Sequence, residues 1–136
     1  GYTITPSGLS SDNYIISYAN GTLDIAKANA TVTANSSTST YNGMNQTVSG
    51  FTASGLVGSE TVAVLTSVSA SRTEKNAGNY VVTASGTDTN YNLTFVDGTL
   101  TINKASATVT ANSNTTTYNG LSQSVSGFTA TGLVNN

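Results

Sequence analysis

Alternation of apolar and polar residues is the strongest signal in this chain. In "NYNLTFVDGTLTI" (Asn90 to Ile102), Tyr91, Leu93 and Phe95 fall on every second position, and Leu100 and Ile102 resume the alternation after Asp97-Gly98. A period of two is that of a half-buried β-strand. Asp-Gly between two such runs predicts a two-residue type I′ hairpin, because both central residues need positive φ and Asp, Asn and Gly tolerate it. That turn sets Phe95 opposite Leu100 and Leu93 opposite Ile102. The earlier stretch "NYIISYANGTLDI" (Asn13 to Ile25) predicts the same hairpin around Asn20-Gly21, with Ala19 opposite Thr22, Tyr18 opposite Leu23 and Ile16 opposite Ile25.

The same reading places further strands at Tyr2 to Thr5, Ala30 to Ala34, Thr38 to Tyr41, Thr47 to Thr52, Val64 to Val68 and Tyr80 to Thr83. Turns are expected at Asn42-Gly43, at Asn119-Gly120, from Gly55 to Ser59 and from Ala84 to Asn90. Residues 58–65 read either as one helical turn, N-capped by Ser59 with Glu60 in its first turn, running into a strand, or as strand from Thr61 onward, the first being favoured. The expected fold class is β-rich: small antiparallel or mixed β modules in tandem, with one short helix per repeat, forming an elongated rod.

The pattern recurs at a fixed distance. Ala107 follows Ala30 by 77 residues, and Tyr118–Tyr41, Phe128–Phe51 and Lys104–Lys27 share that spacing. Between Gly21–Val57 and Gly98–Val134 only nine of 37 positions differ, mostly by exchange among Ser, Thr and Asn. The chain divides into the C-terminal part of one repeat (1–27), a complete repeat (28–104) and the N-terminal part of the next (105–136). Repeats of this length are separate modules or stack to complete one another's cores. At the junctions, "AKANATV" after Ile25 and "NKASATV" after Ile102 contain no Gly, Pro or acidic spacer. Stiff end-to-end stacking follows, unlike the wandering of a Gly/Ser linker. A compact globule of this size is about 30 Å across.

Composition narrows the chemistry. The 19 Ser, 25 Thr and 16 Asn make up 60 of the 136 residues, while charged residues are 7%. So polar a chain could remain disordered, but the regular alternation, seven Tyr and three Phe argue for folding. With no His and no Cys there is no imidazole base, thiolate or disulfide, and no cofactor or metal is expected. The net charge of -2, with four basic residues, argues against a nucleic-acid partner. No apolar run approaches the roughly 18 residues of a membrane span.

The acids Asp12, Asp24, Glu60, Glu74, Asp88 and Asp97 are scattered, and an enzyme is not expected. Asp12-Asn13 and Asp88-Thr89-Asn90 lack the spacing of a calcium loop and read as Asx turns. Tyr41 and Tyr118, each before Asn-Gly, are the candidate ligand residues, since a sugar could stack on the ring; the competing reading has them packing at a strand end. Lys27 and Lys104 hold equivalent junction positions, but an isopeptide bond to an Asn also needs a buried acid alongside, and nothing places Glu60 or Glu74 there. Six Asn-X-Ser/Thr sequons (Asn20, Asn29, Asn35, Asn45, Asn92, Asn114) are about what so Asn- and hydroxyl-rich a chain contains by chance. Strand edges rich in Ser and Thr and poor in charge lack the usual protection against edge pairing.

An ordered set of motifs remains: Tyr41-Asn42-Gly43, Gly78-Asn79-Tyr80, Asn90-Tyr91 and Gly98-Thr99-Leu100-Thr101-Ile102. Together they resemble the MBG/YDG-type repeat of large bacterial surface adhesins similar to filamentous haemagglutinin, with Asn where that family carries the Asp of Tyr-Asp-Gly. The resemblance covers essentially the whole chain. It implies a secreted or cell-surface stalk repeat without enzymatic activity, serving adhesion or biofilm formation, whose partners are neighbouring repeats of the same chain. The alternatives are a weak glycan- or matrix-polysaccharide-binding module acting by avidity, and a subunit that self-associates through open β-edges.

Overall fold

The computed structural model describes residues 1–134. β1 (Tyr2–Ile4) and β2 (Gly21–Leu23) belong to the first, partial copy. The complete repeat contains β3 (Ala28–Ala34), β4 (Ser37–Thr40), β5 (Gln46–Ser49), β6 (Phe51–Ser54), a 3-10 turn (Val62–Val64), β7 (Val68–Glu74), β8 (Gly78–Val82), β9 (Ala84–Gly86), β10 (Tyr91–Val96) and β11 (Gly98–Asn103). β12 (Thr108–Ala111) and β13 (Phe128–Thr131) follow in the last copy. The chain is mainly β, in small antiparallel and mixed sheets: β10-β3-β6, β4-β11-β8 and β5-β7-β9 in the complete repeat, with the pairs β1-β2 and β12-β13 on either side.

One long parallel ladder organises the repeat. β3 and β4 together cover residues 28–40, and β10 and β11 cover 91–103. The two runs pair in parallel at a constant offset of 63, from Tyr91 opposite Ala28 to Asn103 opposite Thr40. Where both runs cross from one sheet to the other, Thr99 N–H donates to Ser36 Oγ at 3.0 Å. The first and last strands of the unit thus run the same way, so the chain comes in at one end and leaves from the other. At about 3.3 Å per residue the ladder is about 40 Å long, longer than a globule of equal mass is wide.

The Asp97-Gly98 hairpin is therefore corrected. β10 and β11 do not fold back on each other: β10 pairs with β3, while β11 lies between β4 and β8. Gly98 is absent from the positive-φ glycines. A Cβ there would lie 2.6 Å from the carbonyl oxygen of Ala34 and closer still to that of Asn35. The glycine permits close approach of two backbones and makes no turn. Straight passage also buries more, because Leu100 and Ile102 enter the core from a strand paired on both sides. The Asn20-Gly21 hairpin is corrected in the same way, since Gly21–Leu23 pairs antiparallel with Tyr2–Ile4. Residues 14–19, the counterpart of β10, form no strand.

Other boundaries move for local reasons. The run from Thr47 to Thr52 breaks at Gly50, whose φ is 84°. Its N–H donates to Ala70 O at 2.9 Å and its carbonyl accepts from Asn35 N–H at 3.0 Å, so β5 and β6 join different sheets. Residues 64–67 are not a strand: the 3-10 turn is N-capped by Thr61, not Ser59, and β7 begins at Val68. Ala84–Gly86 is a strand, where a turn was expected.

Inward faces converge on one cluster that includes Val32, Leu65, Val82, Leu100 and Ile102, and every buried apolar residue lies between Ala30 and Ile102. The partial copies keep the same registers. Ala111 opposite Phe128 repeats Ala34 opposite Phe51, and Tyr2 opposite Leu23 repeats Tyr80 opposite Leu100. Their side chains remain exposed: Leu23 is 49% accessible where Leu100 is 1%.

Candidate functional site

The two expected ligand tyrosines occupy different surroundings. Tyr41 follows β4 directly, its N–H donating to Asn103 O at 2.8 Å and its half-buried ring packed against the core. It lines a cleft of about 320 Å³ with Asn76, Ala77, Lys104 and Ala105. Tyr118 is 90% exposed. Beside Tyr41, Asn42 Oδ1 accepts from Met44 N–H at 2.9 Å and Gly43 takes a φ of 75°. The same side-chain bond recurs between Asn119 and Leu121 N–H at 3.0 Å, with Gly120 at 77°.

A second cleft, of about 310 Å³, lies at the opposite end of the repeat, where Ile25 to Ala28 run past Val57, Glu60, Asn90 and Tyr91. The residues that build it carried no signal of a site, although Asn-Tyr occurs in both copies (Asn13-Tyr14, Asn90-Tyr91). Asp88 starts the loop: its Oδ1 accepts from Asn90 N–H at 2.7 Å and Tyr91 N–H at 3.1 Å. In the first copy the corresponding acceptor is Ser11 Oγ, bonded to Asn13 N–H at 3.1 Å; Asp12 is not the cap. Tyr91 is buried, its hydroxyl donating to Glu60 Oε2 and accepting from Val57 N–H at 2.9 Å. Lys27 Nζ donates to the Asp88 carbonyl at 2.7 Å. Among the described residues no three of His, Cys, Asp and Glu gather as a metal site.

The bond to Glu60 holds the Tyr91 phenol above its ordinary value of 10.0, and the Val57 amide pulls the other way. Folding therefore favours the neutral phenol. Its contribution is complete below about pH 10 and is lost as pH rises through the higher folded value. Urea midpoints measured from neutral pH into the alkaline range are expected to fall more steeply for the native chain than for Tyr91→Phe. Equal slopes would show that the bond does not couple to folding.

These clefts sit at the ends of a repeat, and the repeat matches a known family over residues 30–101: the MBG domain, YGX type. The chain belongs to the MBG domain family. No curated protein and no solved structure matches it. MBG domains are repeat modules typical of surface proteins and generally non-catalytic. The two clefts flank the matched MBG region, Ile25 to Ala28 preceding it and Lys104 and Ala105 following it. No helix among the described residues is long and apolar enough to cross a membrane.

Proposed function

We infer that this MBG repeat is a structural stalk unit of an extracellular bacterial adhesin or fibre, supplying length and stiffness between the cell and a binding region elsewhere in the protein. The observation that carries this reading is the parallel pairing of the first and last strands of the repeat. Units connected in that way must advance along one axis. Most outward positions of the ladder, among them Asn29, Thr31, Thr33, Asn92, Thr94, Thr99 and Thr101, are uncharged and polar, with Val96 the apolar exception, a surface that stays hydrated without repelling its neighbours. Tyr41, bonded through its backbone and packed against the core, fits a structural part better than a sugar platform.

Small-angle scattering of this chain and of chains carrying two and three copies of residues 28–104 tests the reading. The maximum dimension is expected to grow by about 40–45 Å per added repeat and to ignore concentration. Growth well below that step would contradict a stalk. Growth with concentration would instead identify a subunit that self-associates through its strand edges.

A further inference from the structure

The two clefts are related by the repeat itself. Ile25 to Ala28 line one, and Lys104 and Ala105 of the other stand 77 residues beyond Lys27 and Ala28. Each cleft is therefore the same stretch of chain set against a different neighbour. In the first it lies against the unit that follows it, and in the second against the unit that precedes it.

Hydrogen bonds show how little chain separates those neighbours. Asn103 is still held by its own unit, since its carbonyl accepts from Tyr41 N–H. Ala28, the counterpart of Ala105, is already held by the following unit through a 2.9 Å bond from its N–H to Asn90 O. Only the lysine lies between, so the Cα atoms on either side of it are at most about 7 Å apart. The lysine side chain also reaches forward, Lys27 Nζ donating to the Asp88 carbonyl at 2.7 Å. Facing ends joined this closely stand within reach of each other. Both carry apolar surface: Val57, 59% exposed, on one end, and the half-buried Tyr41 and Ala77 on the other.

We propose that the two clefts are the halves of one interface between consecutive repeats, in which Tyr41, Asn76 and Ala77 of one repeat pack on Val57, Glu60 and Tyr91 of the next around a single hinge lysine. The partner is thus a second copy of this fold in the same chain, and the interface rests on the stalk reading because it requires whole units in series. It sets the angle between neighbours, which length alone does not.

The chain has no cysteine, so introduced thiols are unique. The full 136-residue chain is continued with a second copy of residues 60–104, completing the unit that begins at Ala105. Asn76→Cys is combined with Val134→Cys, the counterpart of Val57, and treated with a short bis-maleimide. Intramolecular bridging is expected to exceed that of Asn29→Cys with Val134→Cys, a pair separated by the length of the preceding repeat, by about tenfold or more. A Gly-Gly-Ser insertion after Lys104, which leaves every strand intact, should bring it down to the level of the distant pair. Bridging no greater than in the distant pair, or unchanged by the insertion, overturns the interface. Scattering on the same samples separates the two ideas. A normal step per repeat without bridging removes the interface and leaves the stalk, whereas loss of both removes both.

Discussion

Gly98→Ala is expected to unfold the complete repeat or leave it barely folded, while Gly21→Ala at the equivalent position changes stability by less than about 1 kcal/mol. The motifs around the two glycines are nearly the same; their neighbours are not. A methyl at residue 98 meets two backbone carbonyl oxygens of the partner run, those of Ala34 and Asn35. Backbone atoms in a ladder cannot step aside as a flexible side chain can, so the strands must separate where they cross between sheets. The loss of parallel bonds and of packing around Leu100 should exceed about 4 kcal/mol, a large part of the 5–15 kcal/mol that holds a typical domain together. At residue 21 the nearest heavy atom to the new methyl is Ile4 Cβ at 3.8 Å, an ordinary contact. Urea unfolding of each full-length variant, followed by circular dichroism, checks the pair. A stable Gly98→Ala protein would mean that the crossing of the two runs is wrong.

Leu100→Ala should cost about 3–5 kcal/mol, the range for truncating a buried leucine whose surroundings cannot collapse. Leu100 is 1% exposed on the central strand of its sheet, with β4 on one side and β8 on the other. Ladders on both sides fix the backbone of this central strand, which limits relaxation into the cavity. Leu23, at the same position of the first copy, is half exposed beside β1 alone, and Leu23→Ala should cost about 1 kcal/mol or less. Amide exchange or chemical denaturation would rank the two. Equal costs would mean that the first copy is packed as tightly as the complete repeat.

The mainly β class and the alternating faces were legible from the spacing of Tyr91, Leu93, Phe95, Leu100 and Ile102, because a period of two reports burial directly. Their partners were not. Asp97-Gly98 has the composition of a hairpin turn, and composition cannot distinguish a glycine needed for positive φ from one needed to let a backbone come close. A 63-residue parallel pairing leaves no local mark at all. β7 was placed too early because its outer half, Ser71 to Glu74, is polar and charged, so only Val68 and Ala70 signal burial. At the junction the equivalence of Lys27 and Lys104 was readable, whereas the bonds of Tyr91 to Glu60 and Val57 join residues more than thirty positions apart.

The parallel ladder also decides how the repeat meets a pull. Tension applied along the chain would reach the repeat at residue 28 and leave it at residue 103, at opposite ends of two paired runs that point the same way. The strands are then drawn past each other lengthwise, and the hydrogen bonds of the ladder share the load in shear. A hairpin at Asp97-Gly98 would have offered its bonds one at a time, to be unzipped. Gly98, which lets the runs cross without a turn, keeps the ladder in that shear geometry.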